Sequence, residues 1–168
     1  MNVQNSGNQS IFSLLAAAMP AAVAHIVGSP SYPNIEGDVI FYQTRRGVFI
    51  EATIRGLPYT GGSCDYPVFG FHIHSGGSCT GTEAEPFANA GAHYNPYGCD
   101  HPQHAGDLPP LFANRGYAWQ TFYTERLNAP DVIGLPIIIH LNADDFTTQP
   151  SGNSGEMIAC GIIESACS

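Results

Sequence analysis

The chain contains no lysine. Its only cations are Arg45, Arg46, Arg55, Arg115 and Arg126, set against 14 acidic residues, and the formal net charge is −9. No basic run exists that could follow a phosphate backbone, which excludes nucleic acid as a partner. A small anion would also meet an unfavourable long-range field. Long apolar runs are lacking too. Ile11–Ile26 comes nearest, but residues 1–10 hold no Lys or Arg and Pro20 interrupts the run. It therefore lacks the basic start of a signal peptide and the length of a membrane span. Residues 1–20 read as an N-terminal extension, a short helix leading into a domain over residues 21–168. That reading excludes a membrane and favours the cytoplasm. Five cysteines (Cys64, Cys79, Cys99, Cys160 and Cys167) argue instead for a secreted or cell-surface setting, since reducing compartments rarely use so many. A recurring 3.6-residue period is the third absence after Pro20, and it excludes a helical bundle.

What remains is a succession of short β-forming runs between Gly/Pro turn signals. Ala21–Val27, Asp38–Thr44, Val48–Arg55, Val68–His74 and Tyr117–Thr124 read as strands. Val132–His140 and Met157–Ile163 are nearly continuous apolar runs suited to strands buried on both faces. With 43% hydrophobic residues over 168 positions, one core can be built. The fold class is all-β, a sandwich or barrel. Two stretches fit no strand. Ser75–Phe112 is rich in Gly and Pro and holds three of the seven histidines, and Asn142–Glu156 is polar. Loops this long in a compact domain usually carry function.

The histidines supply the reason. His72 and His74 are two apart in a strand, so both imidazoles face one way and can meet one ion. Alone, such a pair is more often a surface accident. Here His93, His101, His104 and Asp107 follow in the Gly-rich loop, and His140 closes a later strand. Three imidazoles and a carboxylate match a tetrahedral zinc site, and imidazole-rich sets without thiolate suit copper or zinc. Cys99, two residues before His101, is an alternative ligand, although half of a disulfide is its simpler role. His25 reads as an ordinary strand residue.

The ordered segments G-F-H-I-H (Gly70–His74), A-G-A-H-Y-N-P (Ala90–Pro96), H-A-G-D-L (His104–Leu108), I-I-H-L-N-A-D-D (Ile138–Asp145) and G-N-S-G-E-M-I-A-C-G (Gly152–Gly161) resemble the copper/zinc superoxide dismutase family, in its bacterial form. The resemblance runs from about Ala21 to Ile163. It implies a Greek-key β-sandwich or barrel, immunoglobulin-like, with two long metal-site loops. It implies copper on His72, His74, His93 and His140, and zinc on His93, His101, His104 and Asp107. His93 would be the shared imidazolate and the group that takes up and releases a proton. Asp144 would be the outer carboxylate linking histidines of the two metals. Cys79 and Cys160 would form the family disulfide; Cys64 and Cys99 are then a second candidate pair, leaving Cys167 free. The implied activity is dismutation of superoxide, and a homodimer is an implied assembly. Three departures bear on that activity. Met157, beside Glu156, stands where the family places an arginine next to copper. The loop from Asp145 to Gly152 is short and has no basic residue. Only Pro102 and Gln103 separate His101 from His104. The alternative is therefore a non-catalytic copper- and zinc-binding module on the same fold.

Overall fold

The computed structural model describes residues 19–166; most of the N-terminal extension, and Cys167, lie outside them. Among the described residues nine strands follow one another: β1 (Ala22–Gly28), β2 (Glu36–Gln43), β3 (Val48–Arg55), β4 (Val68–Phe69), β5 (Phe71–Ile73), β6 (Leu111–Phe112), β7 (Ala118–Thr124), β8 (Pro136–His140) and β9 (Met157–Ser165). Seven form one curled antiparallel sheet in the order β5-β8-β9-β1-β2-β3-β7, and β4 pairs with β6. Among the described residues, no helix is long and apolar enough to cross a membrane.

Alternation builds the core. In β3, Val48, Ile50, Ala52 and Ile54 are buried while Phe49, Glu51 and Thr53 are half-buried. The inward rows of β1, β2, β3, β5, β8 and β9 meet in one apolar cluster that includes Phe41, Phe69, Phe71, Ile137 and Ile139. β8 is buried along its whole length, because its outer face is covered as well. There Ile138 packs in a second cluster with Phe87, Ala90 and Cys160, joined by Cys79 and Met157. The covering segment is pinned to β9 by a disulfide between Cys79 and Cys160, with Cα atoms 5.7 Å apart.

The structure departs from the sequence expectations at four places. The stretch Ser75–Phe112, read as strandless, ends in a short strand, β6, which pairs with β4. Val132 does not open β8: Ala129–Val132 is a helical turn, α1, and Gly134, at φ 88°, reverses the chain before Pro136. The apolar run continues across the turn because Val132 itself is buried, so composition could not mark the break. Val68–His74 is two strands, split where Gly70 takes its hydrogen bonds from the chain around His140 and Asn142. A side chain at Gly70 would press on Ser154 and the His140 Cβ. Finally, Cys64 and Cys99 are not bonded to each other; both are free thiols. Cys64 is exposed in a turn closed by the Asp65 carboxylate, which accepts from the Thr60 and Gly61 N–H groups. The side chain of Asn95 grips the Cys99 backbone at both N–H and carbonyl.

Candidate metal centre

Strand alternation places the first ligands. In β5, Phe71 and Ile73 point into the core, so His72 and His74 turn to the outer face. In β8, Ile137 and Ile139 point inward and His140 outward. A β-bulge between Ile139 and His140 sets His140 opposite Met157. The Gly-rich loop returns along the free edge of β5, where isolated bridges join His74 to His93 and His72 to Asp107. Sequence-distant ligands thus arrive on one buried patch. His72, His74, His93 and His140 form one group, and His93, His101, His104 and Asp107 a second. In each group, the ligand atoms all lie within 4.8 Å of one another. All the residues singled out as metal ligands are brought together, and His101 and His104 both reach despite their close spacing. Cys99 stands outside both groups. His25 is exposed on β1 beside Asp38, at 2.6 Å.

Hydrogen bonds decide which nitrogen each ring presents. His74 Nδ1 donates to the Gly91 carbonyl at 2.7 Å and His140 Nδ1 to the Gly155 carbonyl at 3.2 Å. Their Nε2 atoms are therefore lone pairs, and they face each other at 3.2 Å. Two buried acceptors in that position need a cation between them. A proton is disfavoured. Burial lowers His74 to about 3 and His140 to about 4 and holds His72 far below the ordinary histidine value. Neighbouring imidazoles add to the effect, and the Gly91 and Gly155 carbonyls oppose it without reversing it.

Asp144 supplies the same logic to the other rings. It accepts from His72 Nε2 at 2.8 Å and from His101 Nε2 at 2.9 Å, one on each oxygen. That leaves His72 Nδ1, His101 Nδ1 and also His93 Nε2 buried with no hydrogen-bond partner. His101 Nδ1 lies 3.1 Å from an Asp107 oxygen, and His104 Nδ1 lies 3.1 Å from the same one. His93 Nδ1 is 2.8 Å from the other. Burial pushes the Asp107 carboxyl up, but the His93 hydrogen bond and the surrounding imidazoles outweigh it, and the net shift is down. Orphaned, convergent ring nitrogens, with an anionic oxygen in one group only, fit two soft-to-borderline divalent metals.

A cleft of about 410 Å³ opens onto the first group, lined by His74, His93, His140, Pro150, Ser151 and Met157 among others; among the described residues no Lys, Arg, Asp or Glu stands in its wall. Arg126 faces a separate groove, where it donates to the carbonyls of Pro102 at 3.0 Å and Asp107 at 3.4 Å. Sequence reasoning missed Arg126, Gln149 and Gly152 as parts of the site. The only signal for Gly152 was its motif: at φ 66° it lies against the Asp144–His101 hydrogen bond, and a Cβ would overlap Asp144 Oδ1.

The fold and the paired ligand groups together define a two-metal β-barrel of copper/zinc type. The profile of the family described as copper/zinc superoxide dismutase (SODC) matches residues 35–163. The superoxide dismutase [Cu-Zn] of Legionella pneumophila is 33% identical over 174 residues, covering 96% of this chain and all of that protein. The human copper chaperone for superoxide dismutase is 34% identical over 179 residues, covering 96% of this chain and 60% of that one. Among solved structures, a double mutant of a SOD-like protein from Bacillus subtilis superposes with a TM-score of 0.69 at 29% identity, over 85% of this chain and 97% of that one. The chain belongs to the copper/zinc superoxide dismutase family, and copper and zinc are its metals.

Proposed function

We propose that residues 21–168 form a copper-dependent superoxide dismutase of modest rate, converting two superoxide ions and two protons to dioxygen and hydrogen peroxide. His72, His74, His93 and His140 would hold copper, and His93, His101, His104 and Asp107 zinc. The observation that carries the reading is His93. The residue occurs in both ligand groups, with Nδ1 2.8 Å from Asp107 and Nε2 buried without a partner. Storage of a metal needs no ring shared between two sites, whereas proton delivery at the redox metal does. Copper, when bound, supplies one-electron exchange with superoxide, and zinc a fixed positive charge.

The chain's own groups do the rest. Gly91 and Gly155 hold His74 and His140 by their Nδ1 atoms, so neither ring turns as charge moves. Asp144 holds His72 and His101 from outside. His93, whose Nε2 is buried without a partner on the ring common to both groups, would take a proton and pass it to the reduced substrate. At about 410 Å³ the cleft has room for a diatomic anion and water, but its lining offers no Lys or Arg to guide one.

That last feature favours a second reading, a non-catalytic copper- and zinc-binding module. Its relatives include a chaperone and a SOD-like protein by name. Elemental analysis of purified protein, followed by a superoxide-removal assay on copper-loaded protein, separates the two. Two metals per chain with copper-proportional turnover supports the enzyme, and two metals with no turnover supports the module. The Cys79–Cys160 disulfide favours a secreted or cell-surface setting over the cytoplasm.

A further inference from the structure

The zinc loop is fastened from a side that no ligand occupies. His101 N–H donates to Gln149 Oε1 at 2.9 Å, and Gln149 Nε2 donates back to the His101 carbonyl at 2.7 Å. One side-chain amide thus satisfies both backbone polar groups of a ligand, as a neighbouring strand would. Gln149 lies five residues after Asp144, whose Oδ1 accepts from the His101 ring. The second loop therefore grips His101 twice, at its backbone and at its imidazole. Such a grip matters where only two residues separate His101 from His104, because a loop so short has few torsions with which to re-aim one ring independently of the other.

We propose that Gln149 is a positioning residue for zinc: it fixes the His101 backbone so that Nδ1, already partnerless and buried, stays aimed at Asp107 and His93. It touches neither metal nor substrate. The inference rests on the reading that His93, His101, His104 and Asp107 hold zinc. Removing an outer partner of a metal ligand typically weakens binding about 10- to 100-fold. Only the backbone is held here, and Asp144 still holds the ring, so the lower end applies.

The test uses the full chain, with zinc affinity measured by chelator competition and site geometry by the visible bands of cobalt(II) in the zinc site. Gln149→Ala should weaken zinc about 10-fold and lower the cobalt band intensity that marks tetrahedral coordination. Copper affinity should stay within about twofold. Gln149→Glu keeps an acceptor for His101 N–H but loses the donor to its carbonyl, so it should recover part of the affinity. The thermal midpoint of metal-free Gln149→Ala protein is measured alongside, because a loop brace of purely structural kind would lower it and leave the cobalt spectrum of the loaded protein unchanged. Asp107→Ala is the control for the underlying reading. If Asp107→Ala keeps its zinc, the zinc assignment fails. If Asp107→Ala loses zinc while Gln149→Ala keeps both affinity and spectrum, the assignment stands and the role of Gln149 is refuted.

Discussion

Replacing Met157 by arginine should give the copper cleft the anion-attracting side chain that its wall lacks. Met157 is the ladder partner of His140 and lines the cleft, so an arginine there would bring its guanidinium toward an anion at the metal; a separation of about 6 Å is taken for the estimate. The cleft is open to water, so an effective dielectric constant of about 40–80 applies, and the attraction is about 0.7–1.4 kcal/mol. If encounter limits the reaction, the gain at low salt is about 3- to 10-fold. Glu156 is exposed beside it and can capture the new cation, so Glu156→Ser with Met157→Arg should gain more than Met157→Arg alone. Met157→Leu, which changes shape little, should gain nothing. The unaltered protein carries −9, so its rate should rise with moderate salt as repulsion is screened over a Debye length of about 8 Å. Pulse radiolysis on copper-matched proteins, as rate against ionic strength, is the assay. A wild-type rate that falls steeply with salt would refute the reasoning, because some cation would then already guide the substrate. Arg126 is not placed to do so: it is turned to the carbonyls of Pro102 and Asp107 in another groove.

The two metal groups should be separable. His72→Ala or His74→Ala is expected to abolish copper-dependent activity with the fold kept, whereas His104→Ala or Asp107→Ala should lower the melting temperature more than the activity; equal losses by elemental analysis and calorimetry in both pairs would sink the two-site assignment. Reducing the Cys79–Cys160 bond, which spans 81 residues, should cost about 4–5 kcal/mol in the loop-entropy account, read from urea unfolding with and without reductant; a midpoint indifferent to reduction would contradict it. Metal-free protein should lose stability on acidification. His74 and His140 are lowered in the folded state to about 3 and about 4 against about 6.5 unfolded. The unfolded chain therefore binds protons that the folded one refuses, and stability intact above pH 6.5 falls steadily as pH drops toward 4. At pH 5 each of the two costs about 2 kcal/mol. A melting temperature unchanged from pH 7 to 5 in chelator-treated protein would rule this out.

The outward-facing histidines of the strands were legible because they rest on period two, whereas the division into a copper and a zinc group came from the family resemblance. His72 and His74 share a face by alternation, and His140 ends a run whose inward residues are apolar; nothing further is needed to know that they point outward together. The strand of Val48–Arg55 was read to its exact ends for the same reason. What failed depends on chain reversal. Val132 is buried whether it is in a strand or in the turn at Ala129–Val132, and only the left-handed Gly134 separates the cases. The proposed Cys64–Cys99 pairing failed because an odd number of thiols constrains a count but no distance. Cys99 is held by Asn95 within its own loop.

Less legible still was the choice of nitrogen, and it is the choice that makes the site work. An imidazole can ligate through either nitrogen, and the sequence is silent on which. The answer lies in what occupies the opposite atom. Gly91 and Gly155, at φ 73° and 74°, turn their carbonyls onto Nδ1 of His74 and His140 and so expose Nε2. Asp144 takes Nε2 of His72 and His101 and so exposes Nδ1. His93 gives Nδ1 to the group containing Asp107 and has no hydrogen-bond partner at Nε2. Two left-handed glycines and one carboxylate therefore sort the rings before any metal arrives. That sorting makes entry a matter of filling a preset site, and it leaves a buried, unpartnered Nε2 on His93, the ring that both groups contain.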